Sequence, residues 1–411
     1  MTDTAPTPAS SSPTTPAVPI TLMAVAAGVL AANLYYLQPL FELVGHEFGH
    51  PAADVATAFT ASQVGFASAL LLLVPLVDLV ERRALVLSLV AGASLVAVGM
   101  ALATSLTMLR LGAFAIGVVS VVPQVLVPLA ASLTAPATRS RTIGQIMSGV
   151  LVGLLLARTV SGTIAALLGW RAVFVLAAVA VAIVGLLLAR RLPHAPAPHA
   201  LTYRATLATL PQFIRRYPVL RSAALTGALT FAGFSMLWTG LALHLAGAPF
   251  HFGPGRIGLF GLAGAAGVVI ANLAGRLLDR REPTHVLVAA LGIASGSMLL
   301  GLAGAHSALV LALVLVGFDI GAQAAHLANQ TRIFRLDPTA VGRLNSVYMV
   351  SYFVGGALGS WSATRLFQQS GWPAVATGAL SLSLLATLFA LFAARQAHRV
   401  RHAATLAVQT A

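Results

Sequence analysis

Five ionisable residues stand inside long apolar stretches of this chain: Arg110, Arg158, His244, Asp319 and His326. Such groups are costly to keep in apolar surroundings, and their usual work is to hold an opposite charge, exchange a proton or receive a polar solute. Arg158 lies about ten residues, or about 15 Å, from the end of its stretch, and Asp319 about twelve residues, or about 18 Å, from the same face. The two are expected to share a centre. They read either as a proton-coupling pair, in which a moving charge beside Asp319 changes whether it holds a proton, or as a static ion pair. Gln323, His326 and Gln330 follow Asp319 at the spacing of one helical face. His326 in that stripe is a candidate proton relay, or a hydrogen-bonded neighbour of another helix. Arg110 stands near a stretch end, from which its side chain can reach out to the interface.

Amides and rings supply a second set of candidates. Asn345, Tyr348 and Tyr352 recur at helical spacing, Asn33, Tyr36 and Gln38 cluster in the first apolar stretch, and Phe231 and Trp238 are two turns apart. Mixed aromatic and amide groups would line a pocket for a small amphipathic or hydroxylated solute, or pack helices together. Other chemistry is poorly represented. The chain has no Cys, and neither an H-E-x-x-H metal motif nor a G-x-x-x-x-G-K-[ST] phosphate loop occurs. The few Asp, Glu and His residues never converge in sequence. No cofactor, metal or enzymatic activity is expected.

The elements that must position these residues follow from composition. Of 411 residues, 58% are hydrophobic and 8% charged, against about 25% charged in soluble domains. Apolar stretches of about 20 residues, enough to cross roughly 30 Å of hydrocarbon as a helix, recur from Ile20 almost to the end. Backbone groups in lipid must be satisfied internally, and the stretches lack the alternation of a barrel, so the fold class is an all-α membrane protein. We count about twelve transmembrane helices. The net charge of +14 comes from Arg alone, mostly paired at stretch ends. That placement suits lipid headgroups rather than nucleic acid. With twelve spans the loops rich in Arg share one side, which puts both termini in the cytoplasm and the protein in the inner membrane.

The organisation reads as a disordered cytoplasmic tail at 1–19, a six-helix bundle at 20–191, a cytoplasmic linker at 192–218, a second bundle at 219–395 and a tail at 396–411. Leu207, Leu210, Phe213 and Ile214 give the linker one interfacial amphipathic helix. No Arg precedes Ile20, so the first span is expected to be retained rather than cleaved. The two bundles echo each other. Asp78 and Asp279 are 201 positions apart, while Arg141 and Arg343, Gly153 and Gly355, and Gly169-Trp170 and Gly371-Trp372 are each 202 apart. Parallel repeats of this kind hold a solute at their interface near mid-bilayer. Gly149, Gly153, Gly317, Gly321, Gly355 and Gly359, at four-residue spacing, are expected where helices approach closely.

The segment Val74-Pro75-Leu76-Val77-Asp78-Leu79-Val80-Glu81-Arg82-Arg83 resembles the major facilitator signature G-x-L-A-D-R-x-G-R-R at Leu76, Asp78, Arg82 and Arg83. A second copy, Gly275-Arg276-Leu277-Leu278-Asp279-Arg280-Arg281, keeps Gly, Leu, Asp and Arg. The opening Asn33-Leu34-Tyr35-Tyr36-Leu37-Gln38-Pro39-Leu40 is similar to the first span of an efflux branch related to the twelve-span drug:proton antiporters. Gly149-x-x-x-Gly153 matches the start of the antiporter signature, but Leu154, Ala157 and Arg158 depart from the rest. The resemblance spans residues 20 to 395. It implies the major facilitator fold and secondary transport of a small-molecule solute with protons. The first expectation is proton-coupled efflux; uptake of an anionic metabolite by symport is the alternative, and a non-transporting receptor or scaffold would have no need for buried charges. The resemblance also implies that Asp78, Arg82, Arg83, Asp279 and Arg280 latch one conformational state, and that Arg110, which matches a fourth-span Arg, assists proton exchange, although Ala113 stands where the family has Gln. A monomer is the expected state, with the lipid bilayer as its surroundings.

Overall fold

A computed structural model describes residues 19–135, 138–194, 203–264, 281–337 and 340–409. It is built of helices connected by short turns. In the first half these are α1 (Ile20–Ala32), α2 (Phe41–Phe48), α3 (Ala52–Leu72), α4 (Arg82–Ala101), α5 (Leu106–Val119), α6 (Val122–Leu133), α7 (Arg139–Leu168) and α8 (Trp170–Arg191). The connecting helix α9 (Tyr203–Arg216) leads to α10 (Pro218–Ala246), α11 (Pro254–Leu259), α12 (Pro283–Ala303), α13 (Ala308–Phe334) and α14 (Val341–Gln409). Among the described residues nine helical stretches are long and apolar enough to cross a membrane. The last of these, Val341–Arg395, is broken at Gly371 and so makes two crossings. Together with the broken first span and the stretch opened by α11, of which 265–280 lie outside the described residues, the plan is the twelve-span one. Leu95, Leu167, Leu309 and Phe392 point outward, as a lipid solvent allows.

The first and fourth expected spans are not continuous. The first stops at Ala32, turns through Asn33–Leu37 and resumes as a 3-10 turn at Gln38–Leu40 and then α2. Pro39 contributes no N–H and disfavours helix in the residue before it, which explains the break. The fourth span is interrupted at Ser120 and Val121 ahead of Pro123. The turn between the eleventh and twelfth consists of Gly371 alone, at φ 66° and ψ −156°. Its counterpart Gly169, between α7 and α8, has φ 84° and ψ 161°.

Helix pairing repeats between the halves. In the first, Cβ atoms at Gly149 and Gly153 of α7 would collide with the backbone oxygens of Ala24 and Gly28 in α1. In the second, Cβ atoms at Gly355 and Gly359 of α14 would collide with those of Ala228 and Ala232 in α10. Hydrophobicity alone does not drive helices together in lipid, so backbone-to-backbone approach supplies the packing. Gly321 of α13 meets the Ala290 backbone oxygen of α12 in the same manner, while Gly317 faces the Ser297 side chain.

The turns at one end of the bundle are joined by side chains, and we call this end the α2 face. Trp170 Nε1 donates to Glu47 Oε2 at 2.6 Å, and Arg171 pairs with the other oxygen while also reaching the Ala103 carbonyl. The Arg171 hydrogen bond, then that from Trp170, holds the Glu47 carboxyl below the usual carboxylate range. Trp372, the second-half counterpart of Trp170, donates to the Gly301 carbonyl at 3.0 Å. The halves touch on this face. Gln368 Nε2 donates to Asp54 Oδ1 at 3.0 Å, Thr60 Oγ1 donates to Ser360 Oγ at 3.0 Å, and Gly162 abuts the backbone of Pro254 and Gly258.

Candidate functional site

Arg158 is the twentieth of the thirty residues of α7 and is 6% exposed, as is Asp319 on α13. The break in the first span brings Gln38 and Tyr35 to Arg158, and α10 brings Trp238. The guanidinium is held between two rings, 3.7 Å from the Trp238 centroid and 4.6 Å from that of Tyr35. Its Nε donates to Gln38 Oε1 at 2.5 Å. Cation–π contact of this kind, out of water, is worth about 2 kcal/mol or more.

The edges of this cluster are not satisfied. Among the described residues Arg158 Nη2, Gln38 Nε2, Trp238 Nε1 and Asp319 Oδ1 are buried without hydrogen-bond partners. Trp238 Nε1 is directed at the Asp319 carboxylate but falls short of an ordinary hydrogen bond. Arg158 and Asp319 interact electrostatically without forming one of the described ion pairs. A cavity of about 10 Å³, room for about one water, lies between Gln38, Pro39, Arg158, Trp238 and Ile257. The backbone at Gly264 approaches Asp319 so closely that a Cβ there would sit 2.9 Å from Oδ2.

The stripe on α13 meets the polar face of α14. His326 Nδ1 and the Tyr348 hydroxyl share a hydrogen bond at 2.9 Å, and Gln330 Nε2 donates to Asn345 Oδ1 at 3.4 Å. The His326 ring lies 4.7 Å from that of Tyr352, which stacks on Phe231 at 4.0 Å. Gln323 is half-buried on the same face of α13. A turn further along, Asn329 accepts from Thr226 at 3.2 Å and from Arg332 at 3.0 Å, and Arg332 also donates to Ser222.

Other candidates fall elsewhere. Asn33 is buried with Nδ2 unpaired among the described residues, and Tyr36 is half-buried while its neighbour Tyr35 takes the place beside Arg158. Arg110 donates to Thr57 Oγ1 at 2.8 Å and to the Asp54 carbonyl at 3.1 Å, bracing α5 against the start of α3. His244 bonds the Ala305 carbonyl and stacks on Trp372 at 5.1 Å. Arg82 donates to the Val77 carbonyl and Ser132 Oγ, and Arg83 to the Ala189 carbonyl, tying the turn before α4 to the ends of α6 and α8. The Asp78 side chain, Asp279 and Arg280 lie outside the described residues. Sequence reasoning passed over Tyr35, Asn329 and Gln63, the last a fully buried amide on α3; an isolated amide in an apolar span was the available signal for Gln63.

A helical bundle of two repeated halves with buried charges at their meeting point defines an integral membrane transporter. The family model for the Major Facilitator Superfamily matches residues 23–360, and the chain belongs to that superfamily. It is 42% identical to the uncharacterized transporter YgaY of Escherichia coli O157:H7, over 89% of this chain and 93% of that protein. A probable transporter of Streptomyces coelicolor is 36% identical, over 86% of this chain and 82% of that protein. Among solved structures, a bacterial homolog of the human lysosomal transporter Spinster, inward-facing and occupied, superposes with a TM-score of 0.73 at 15% identity. That match covers 92% of this chain and 96% of the other.

Proposed function

We propose that this transporter exports a small organic solute in exchange for protons, by alternating access between its two halves. It acts as a monomer in a bacterial inner membrane with both termini in the cytoplasm, the side to which the Arg-rich loops are assigned. One observation carries the reading: a buried carboxylate of the second half interacts with a buried guanidinium of the first, and each keeps an atom unpaired among the described residues. Asp319 Oδ1 is the acceptor for which proton and solute compete. An ionised Asp319 holds a donor group of the solute at the inner face. Protonation at the outer face removes that acceptor and releases the solute, and the protonated carrier returns. Arg158 positions the carboxylate, His326 relays the proton, and Gln38, Asn33, Tyr36, Trp238, Gln323, Asn345, Tyr348 and Tyr352 surround the solute. Asp78, Arg82 and Arg83, with Asp279 and Arg280, latch the inner face.

The test begins with a panel of labelled organic solutes, compared in cells with and without the protein, to find a transported probe. Asp319→Asn should abolish the pH-gradient dependence of its flux while leaving solute exchange at equal pH. Unchanged gradient dependence would remove this carboxylate from the coupling step. A second reading, uptake of an anion together with a proton, is favoured by the three unpaired donors of Arg158, Gln38 and Trp238. Flux of the same probe in inverted vesicles under an imposed pH gradient separates the two directions.

A further inference from the structure

Gln63 is the twelfth residue of α3, about 16 Å from the α2 face, the depth at which Arg158 and Asp319 also stand. It is completely buried, and among the described residues neither its Oε1 nor its Nε2 has a hydrogen-bond partner. Because both atoms are unpaired, the result does not depend on which way round the amide is placed. The side chain points out of the first half into the second. Its Nε2 is 3.1 Å from where a Cβ of Gly356 would be, and the same position is walled by the Phe231 ring. Phe231 stacks on Tyr352 at 4.0 Å and meets Phe353 edge-on at 5.1 Å, while Phe66, on the helix of Gln63, lies 4.2 Å from Phe353. Phe234 links this aromatic wall to Trp238 and so to Arg158.

A stranded donor and a stranded acceptor in an apolar seam weaken the folded state, and an apolar side chain of the same size would fill the place better. Groups kept at such a cost are expected to find their partners in another state of the working cycle. Resting on the reading of the centre as the place where solute is held, we infer that Gln63 is a solute-binding residue that recognises an amide-like edge. Such an edge is a carbonyl acceptor beside an N–H donor, as in a carboxamide, a lactam or a nucleobase. A glutamine amide presents the complementary pair and makes two parallel hydrogen bonds with it. The neighbouring rings take the planar body of the same solute. Parting of α3 from α14 uncovers the amide.

Thermal melting of the purified full-length protein in detergent tests this without any known substrate. The variants are Gln63→Met and Gln63→Leu, and the probes are benzamide and acetophenone, which share shape and carbonyl but not the N–H. Both variants should melt a few degrees above wild type, since two unpaired polar atoms are removed. Benzamide should raise the melting temperature of wild type more than acetophenone does, and this excess should vanish in both variants. Variants that fail to fold, or that melt at or below wild type, would make Gln63 a structural residue. A benzamide effect that is absent, matched by acetophenone or retained without Gln63 would remove the amide-edge assignment. Neither result depends on a proton gradient, so failure here is distinct from failure of the Asp319→Asn flux test.

Discussion

Arg158 shows how a single charge is made tolerable at mid-membrane. Its two faces are covered by Trp238 and Tyr35, and its Nε is taken by Gln38, which leaves only an edge for solute. Lysine cannot reproduce this. Its ammonium is a compact, strongly hydrated point charge with no plane to stack between rings. Arg158→Lys should therefore lower flux of a transported probe at least tenfold, equivalent to about 1.4 kcal/mol, at unchanged protein level in the membrane. Flux within twofold of wild type would show that the ring sandwich does not position the group. Arg158 and Asp319 were legible in the sequence because charge inside an apolar run has so few explanations. Tyr35 was not, since the turn at Asn33–Leu37 leaves the helical register and decides which of two adjacent tyrosines meets Arg158. Gln63 carries no charge, and one amide in an apolar span does not reveal which helix it faces.

At the scale of elements, the two halves use the same parts. Gly169-Trp170 and Gly371-Trp372, 202 positions apart, both make a one-residue turn in which φ is positive and ψ is extended. That region is open essentially to glycine alone. Gly169→Ala and Gly371→Ala should each cost about 1–3 kcal/mol of stability, read as a lower melting temperature and less protein recovered from the membrane. If either alanine variant melts with wild type, the turn at that site relaxes freely and its repetition has no energetic meaning. The repeat was visible beforehand because equal offsets survive whatever the side chains do. The positions of the helix breaks were not, since the prolines that cause them also occur intact inside α6 and α9. Which stretch gives way at a proline depends on its neighbours rather than on the stretch itself.

At the scale of the molecule, transport by rocking requires that contacts between the halves at the α2 face break in each cycle. Beside the packing of Gly162 on Pro254 and Gly258, those contacts include the polar pairs Asp54 with Gln368 and Thr60 with Ser360. These pairs are weak enough to part, because each replaces a contact that water can make when the seam opens. The chain has no native Cys, so an engineered pair can form only one bridge within the molecule. The Thr60 and Ser360 oxygens are 3.0 Å apart, which brings the attached Cβ atoms close to the separation a disulfide needs. Oxidised Thr60→Cys/Ser360→Cys should carry no net flux, and reduction should restore flux to the level of the reduced single variants. The single variants should ignore the oxidant. A fully bridged protein that still transports at the reduced rate would mean that solute crosses without parting α3 from α14, and the movement would then have to be sought at the contact of α7 with α11.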